Sequence, residues 1–357
     1  MSASRTYAII GCGMMGREHM QNLALVPGAD LIAIADPDAG SREAAAELAT
    51  RLGQDVRLYS DNTEMLDQAA PDAVIIASPN FTHFDLVKPV MERGAAILLE
   101  KPMCTALSDA KALAKAAADY PGLFWVGLEY RYMPPVTRFI ERLHAGEAGD
   151  IKMLAIREHR FPFLVKVGDW NRFNRNTGGT LVEKCCHFFD LMRQILRDEP
   201  VRVFASGAQD VNHLEERYDG ETPDIIDNAF VMVDFAGGAR AMLDLCMFAE
   251  GSQEQEEISA VGPGGKMEVM LPSGEVIWSP RDKSGPIVTH VDTPAEALAA
   301  GDHHGATYFQ QRDFHEALVH GTKPLIDARD GYRSVVMGAA AQQSIATGQP
   351  VDITFEV

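Results

Sequence analysis

The chain has no apolar run long enough to cross a bilayer, and no signal-like apolar region precedes its first strand pattern. A spanning protein is therefore not expected; the reading is a soluble, cytoplasmic one. An excess of positive charge is missing too: 51 Asp and Glu against 32 Lys and Arg leave a formal net charge of −19. That balance argues against partners such as nucleic-acid backbones and anionic membranes, while leaving room for a local positive pocket. The five cysteines, Cys12, Cys104, Cys185, Cys186 and Cys246, show no metal-site spacing, and their odd number does not build a disulfide framework. Free thiols fit a reducing compartment, and no bound metal is expected. Internal repeats, low-complexity tracts and long charge runs are absent as well.

What remains is an ordinary globular composition, 46% hydrophobic and 23% charged over 357 residues, enough for about two domains. The first third reads as alternating strands and helices. A buried strand at 7–10 runs into Gly11-Cys12-Gly13-Met14-Met15-Gly16, the GxGxxG pattern, and a helix follows. In that setting Gly11 permits the tight turn, Gly13 lets the backbone approach a pyrophosphate, and Gly16 lets the helix pack on the sheet. A second strand at 29–35 ends at Asp36, about 20 residues beyond Gly16, where a carboxylate accepts ribose hydroxyls and repels the extra phosphate of NADP. Asp36 before Pro37 is also a good turn starter, and the nearby Arg42 keeps NADP possible. Further strands at 72–77 and 95–99 end at Ser78-Pro79-Asn80 and at Glu100-Lys101-Pro102. Ligands of open α/β sheets bind outside those strand ends. Pro102 cannot continue a central strand, so Lys101 is delivered to the cleft. These features predict an α/β Rossmann domain over residues 1–128 that binds NAD.

Beyond Pro134-Pro135, Gly146 and Gly149 the rhythm changes. Stretches at 151–159, 201–209, 229–235, 239–247, 256–261 and 266–271 alternate apolar and polar residues and are joined by turns. They predict an α+β domain over 129–357 with an open, largely antiparallel mixed sheet. An open apolar face must be covered, and association into a homodimer or homotetramer is the expected solution.

A helix predicted over 179–196 carries Glu183 and His187 four residues apart, on one face, with Asp190 close to it. A carboxylate one turn before an imidazole can orient it for proton transfer. A helix histidine satisfied in a core, and charges on a solvated surface, account for the same spacing. Cys185 and Cys186 read as small buried hydrophobes. The preceding Gly178-Gly179 allows another backbone to approach closely.

Taken together these residues resemble the Gfo/Idh/MocA family (glucose–fructose oxidoreductase and inositol dehydrogenase). The resemblance rests on the glycine loop, Ser78-Pro79-Asn80 with His83, Glu100-Lys101-Pro102, Arg131 with Pro134, the 146–151 linker, the 178–190 helix and the ending from Pro324 to Val351. It implies an active site between the two domains and NAD(P) chemistry on alcohols and ketones of sugars, inositols or related polyols. It implies that Lys101 is the active-site lysine, that His187 transfers the proton, and that Met14, Met15, His83 and Glu100 join the cofactor-binding set. Glu183 stands where many members carry aspartate, and Cys185 where glycine is frequent, so the contact from position 183 is expected to differ. The loop with Arg160, Lys166, Trp170 and Arg172 offers polar groups and an aromatic face for a sugar ring. His303, His304 and Tyr308 are further candidates for the same pocket. Two other readings stay open: an NAD-dependent glycoside hydrolase or lyase with transient redox and no net NADH, and a non-catalytic dinucleotide sensor.

Overall fold

The structure, a computed structural model, describes residues 4–282 and 284–357. The apolar runs of the first third form β1 (Arg5–Ile10), β2 (Ala29–Ala35), β3 (Arg57–Tyr59), β4 (Ala73–Ile76), β5 (Ala96–Leu99) and β6 (Phe124–Val126). Between them lie α1 (Met14–Leu23), α2 (Ala39–Leu52), α3 (Asn62–Ala69), α4 (His83–Glu92) and α5 (Leu107–Ala118). The strands pair in parallel in the order β3-β2-β1-β4-β5-β6. Both faces of such a sheet are covered by helices, which is why β4 and β5 read as continuous apolar runs, buried at every position. The order reverses between β1 and β4, and the crevice at that switch point is where a dinucleotide lies in this architecture.

The second half opens with α6 (Pro134–His144), which the proline pair had hidden in the sequence. Proline is tolerated in a first helical turn because the N–H it lacks has no partner there. Next come β7 (Met153–His159), the single turns α7 (Asn174–Thr177) and α8 (Thr180–Glu183), and α9 (Cys186–Leu196). The strands β8 (Pro200–Ala208), β9 (Asn228–Phe235), β10 (Arg240–Cys246), β11 (Glu256–Gly262), β12 (Gly265–Leu271), β13 (Glu275–Pro280) and β14 (Ile287–His290) follow. The chain ends with α10 (Ala295–Ala299), α11 (Ala306–His320), α12 (Ala328–Thr347) and β15 (Val351–Asp352). The sheet order is β14-β13-β12-β11-β7-β10-β9-β8-β15, antiparallel except for the β7–β10 pair. The strands β13 and β14, the latter at the sheet edge, were not legible in the sequence.

The inner face of this sheet carries Val231, Val233, Leu243 and Ile156, all buried, beneath the helices. The outer face exposes Phe204, Phe230, Met232 and Met242, and Phe204, Met232 and Met242 lie side by side in register. The C-terminal helices return to the first sheet: α11 packs on α1, and α12 lies against α5, α9 and β8.

The helix predicted over 179–196 is broken. Cys185 N–H turns to Thr180 O at 3.4 Å instead of the carbonyl one turn back, and α9 starts afresh at Cys186. Helix α12 packs tightly beside the break: a Cβ on Gly338 would sit 2.6 Å from Leu181 O.

Candidate active site

The glycine loop is built as the spacing requires. Gly11 has φ +88°, and a Cβ on Gly16 would fall 2.0 Å from Gly11 O, so α1 can pack only without a side chain there. Around Gly13 an added Cβ meets nothing, which leaves the backbone open to the cleft. The N-terminus of α1 points its free N–H groups into the same space. Asp36, just beyond β2, accepts from Cys12 N and from Asp38 N, both at 2.8 Å, one on each carboxylate oxygen. It thereby ties the loop to the strand end and keeps lone pairs for further donors. Arg42 is pinned beneath, donating to the carbonyls of Asp36 and Pro37.

One cleft of about 620 Å³ runs from this rim to the second sheet's loops. Its walls carry Gly11, Gly13, Met14, Met15, Asp36, Ser78, Pro79, Asn80, Glu100 and Lys101 from the first domain, and Lys166, Trp170 and Glu183 from the second half. Arg17, Asp38 and Ser60-Asp61-Asn62 also line it. The sequence reading passed over these last residues, although 60–62 follow the end of β3 and obey the same strand-end rule.

Other candidates lie off the cleft wall. His83 is buried with its ring between the carbonyls of Pro102 (2.9 Å) and Ser78 (3.1 Å), so it ties two cleft loops together. Arg172 is buried and bonded to Glu216 at 2.9 Å. Arg160 lies over the Phe161 ring and 3.3 Å from Glu158. His303 bonds Glu18, and His304 lies 3.7 Å from Glu256. Asp190 does not orient His187; it holds Arg131 through two hydrogen bonds of 2.5 and 2.6 Å.

Lys101, at the end of β5, is cationic. Burial works against its charge, but the acidic groups around it, Glu100 and Glu183 among them, outweigh it and hold the pKa above the usual lysine value. Glu183 faces the opposite balance: burial raises its pKa, against the pull of Lys101, Lys166 and the neighbouring Asn80 amide. Glu183 Oε2 and Asn80 Nδ2 are buried beside each other without a completed hydrogen bond. His187 is 1% exposed, its Nδ1 has no partner, and its ring stacks on Tyr130 at 3.9 Å between centroids. Burial first, then Lys101, Lys184, His303 and Arg160, push its pKa well below the ordinary value, so the imidazole is neutral. No hydrogen bond joins it to Glu183; the stacked Tyr130 fixes the ring instead. Tyr130 OH is held by Lys184, whose ammonium lies 2.8 Å from Glu158.

Behind Glu100 sits a buried acid–histidine cluster that the sequence did not reveal. His19 Nε2 lies 2.8 Å from Glu100 Oε1. Thr307 Oγ1 lies 2.8 Å from Glu18 and 2.6 Å from Glu129. One hydroxyl hydrogen can serve only one carboxylate, so the other carboxyl brings its own proton. That group is Glu129, whose pKa burial raises.

The family model for an oxidoreductase family with an NAD-binding Rossmann fold, GFO_IDH_MocA, matches residues 5–128, and its C-terminal alpha/beta domain matches 140–353. The chain belongs to the Gfo/Idh/MocA oxidoreductase family. Among curated Gfo/Idh/MocA relatives, scyllo-inositol 2-dehydrogenase (NAD(+)) of Bacillus subtilis (strain 168) is 27% identical over 97% of this chain and 95% of its own length. Myo-inositol 2-dehydrogenase of Thermotoga maritima is 24% identical over 97% of each chain. A levoglucosan dehydrogenase solved with NADH shares the fold with a TM-score of 0.85 and 23% identity, covering 98% of this chain and 99% of the other. As a Gfo/Idh/MocA enzyme the protein is an NAD-dependent dehydrogenase acting on CH–OH groups, and the open loop backbone, the α1 terminus and Asp36 fit that cofactor.

Proposed function

We propose that the protein transfers a hydride between NAD and a hydroxyl-bearing carbon of a sugar, inositol or related polyol. The observation that carries this reading is the meeting of cationic Lys101 and Glu183 on the walls of one cleft, close enough to His187 for the Lys101 charge to depress its pKa. NAD bound along the glycine loop supplies the hydride acceptor. In the oxidation direction Lys101 Nζ donates a hydrogen bond to the reacting oxygen and stabilises the developing alkoxide charge. An unprotonated ring nitrogen of His187 accepts the hydroxyl proton. Glu183 Oε2, free of other partners, accepts from a neighbouring substrate hydroxyl, and Trp170 offers its face to the ring. Inositol and levoglucosan dehydrogenation by the relatives supports a cyclic polyol or sugar.

The test is NADH formation over a panel of inositols, aldoses, sugar acids and glycosides, with Lys101→Ala and His187→Ala compared on the best substrate. Each variant is expected to lose turnover by about a hundredfold to ten-thousandfold while NADH affinity holds. Near-normal turnover in either variant overturns the assignment. A second copy of the chain covering the Phe204, Phe230, Met232 and Met242 face completes the proposed active form, a homodimer or a tetramer built from it.

A further inference from the structure

Lys166, like Lys101, differs from the other cations around the cleft. Among the described residues its side chain has no hydrogen bond and no ion pair, although it stands on the cleft wall. Its neighbours are taken: Arg172 by Glu216, Lys184 and Arg160 by Glu158, and the carboxylate of Glu100 by His19. The segment holding Lys166 is shaped to present it. Asp169 N donates to Lys166 O at 2.9 Å, and Gly168 and Asp169 adopt φ of 67° and 52°. This turn puts Lys166 and Trp170 on the same wall.

The inner end of the cleft therefore holds two ammonium groups, Lys101 and Lys166, against one available carboxylate, Glu183. An oxidised nicotinamide ring adds a further positive charge there. This local excess stands inside a chain of net charge −19, so it is not a general surface property. Burial also pushes the Lys166 pKa down, and an anion that pairs with it stabilises its charged form.

We propose that the substrate is a sugar acid, a polyol or sugar ring bearing a carboxylate, with Lys166 receiving the carboxylate while Lys101 holds the reacting oxygen. The proposal rests on the dehydrogenase reading above. A single surplus charge on a flexible lysine suits a monoanion. A phosphate dianion draws on forked guanidinium donors or a helix N-terminus, and the terminus of α1 is committed to the glycine-loop end of the cleft.

The experiment compares kcat/KM with NAD for matched pairs, D-glucose with D-glucuronate and D-gluconate, and D-galactose with D-galacturonate, alongside myo-inositol and glucose 6-phosphate. Calorimetry of each acid into the enzyme–NADH complex gives a reading independent of turnover. At least one acid is expected to exceed its neutral partner by about tenfold or more in kcat/KM. In Lys166→Met that ratio collapses toward one, mainly through KM, and Lys166→Arg restores most of it; NADH binding by each variant reports correct folding. Preferred turnover of neutral members, or a Lys166→Met loss equal for acid and neutral substrates, overturns the inference and leaves the dehydrogenase standing. A preference for glucose 6-phosphate overturns the carboxylate in favour of a phosphate. Acids that bind the NADH complex through Lys166 yet yield no NADH overturn the dehydrogenase reading instead.

Discussion

At His187 complete burial and the charges of Lys101, Lys184, His303 and Arg160 all disfavour the imidazolium. The neutral ring is the form a general base needs, so oxidation should stay active below the pH at which an ordinary histidine protonates. Lys184 bonds Tyr130 and acts on His187 through that ring and through its charge, which makes it a positioning residue. Replacing it by Met removes one positive charge, so the His187 pKa rises and the acid limb of the kcat/KM profile moves to higher pH. Lys184→Arg should restore the limb, whereas a purely structural role would leave it in place in both variants. Asp36 acts at the other end of the cleft. Asp36→Ala frees Cys12 N and removes the carboxylate that repels a 2′-phosphate. The expected outcome is weaker NAD binding and a shift in the NAD-to-NADP kcat/KM ratio toward NADP; an unchanged ratio would remove Asp36 from cofactor selection.

Two elements carry the site: the glycine turn entering α1 and the broken helix α8–α9. In the first, Gly16→Ala forces a Cβ into Gly11 O, and the overpacking should cost about 1–3 kcal/mol and weaken NADH binding together. Denaturant unfolding and NADH titration on one preparation check both. In the second, α9 is pinned by Asp190 to Arg131, which also reaches Asp330 at 3.1 Å. Asp190→Ala removes the two shortest hydrogen bonds of a largely buried guanidinium, leaving it Asp330 and the Leu325 carbonyl, and should destabilise the protein by about 1.5–3 kcal/mol. Its role is structural, so the residual folded enzyme should keep its NADH affinity. The break between α8 and α9 also separates what the sequence joined. Glu183 lines the cleft, Lys184 turns to the Tyr130 hydroxyl, and His187 stacks on the Tyr130 ring.

For the whole molecule the proposed assembly rests on the open face of the second sheet. On β9 Phe230 and Met232 are 62% and 57% exposed, flanked by the Arg202–Asp234 and Arg157–Asp244 pairs. An apolar stripe with a charged border is the form an isologous contact takes. Phe230→Glu places a charge on both sides of such a contact, and light scattering should then report a monomer. A variant that keeps the wild-type mass would place the contact elsewhere.

The first domain was legible because its rules are local. A parallel strand buried on both faces is a continuous apolar run, a tight turn under a helix needs glycine, and strand ends collect ligands. These predicted the Rossmann architecture and the place of Asp36 and Lys101 at strand ends without reference to anything distant in the chain. The second domain was legible as alternating strands, but the amphipathic helix α6 and the exposed strand β14 fell outside those local rules. What only the tertiary structure decided are contacts between residues far apart in sequence. It took Arg131 for Asp190, tucked His83 between two loop carbonyls, and stacked Tyr130 on His187. It gathered Glu18, His19, Glu100, Glu129 and Thr307 into one buried network, and left Lys166 unpaired. Spacing along a chain says which side chains share a face; which of them meet, and which stay free for a ligand, is set by the partners that packing brings from elsewhere.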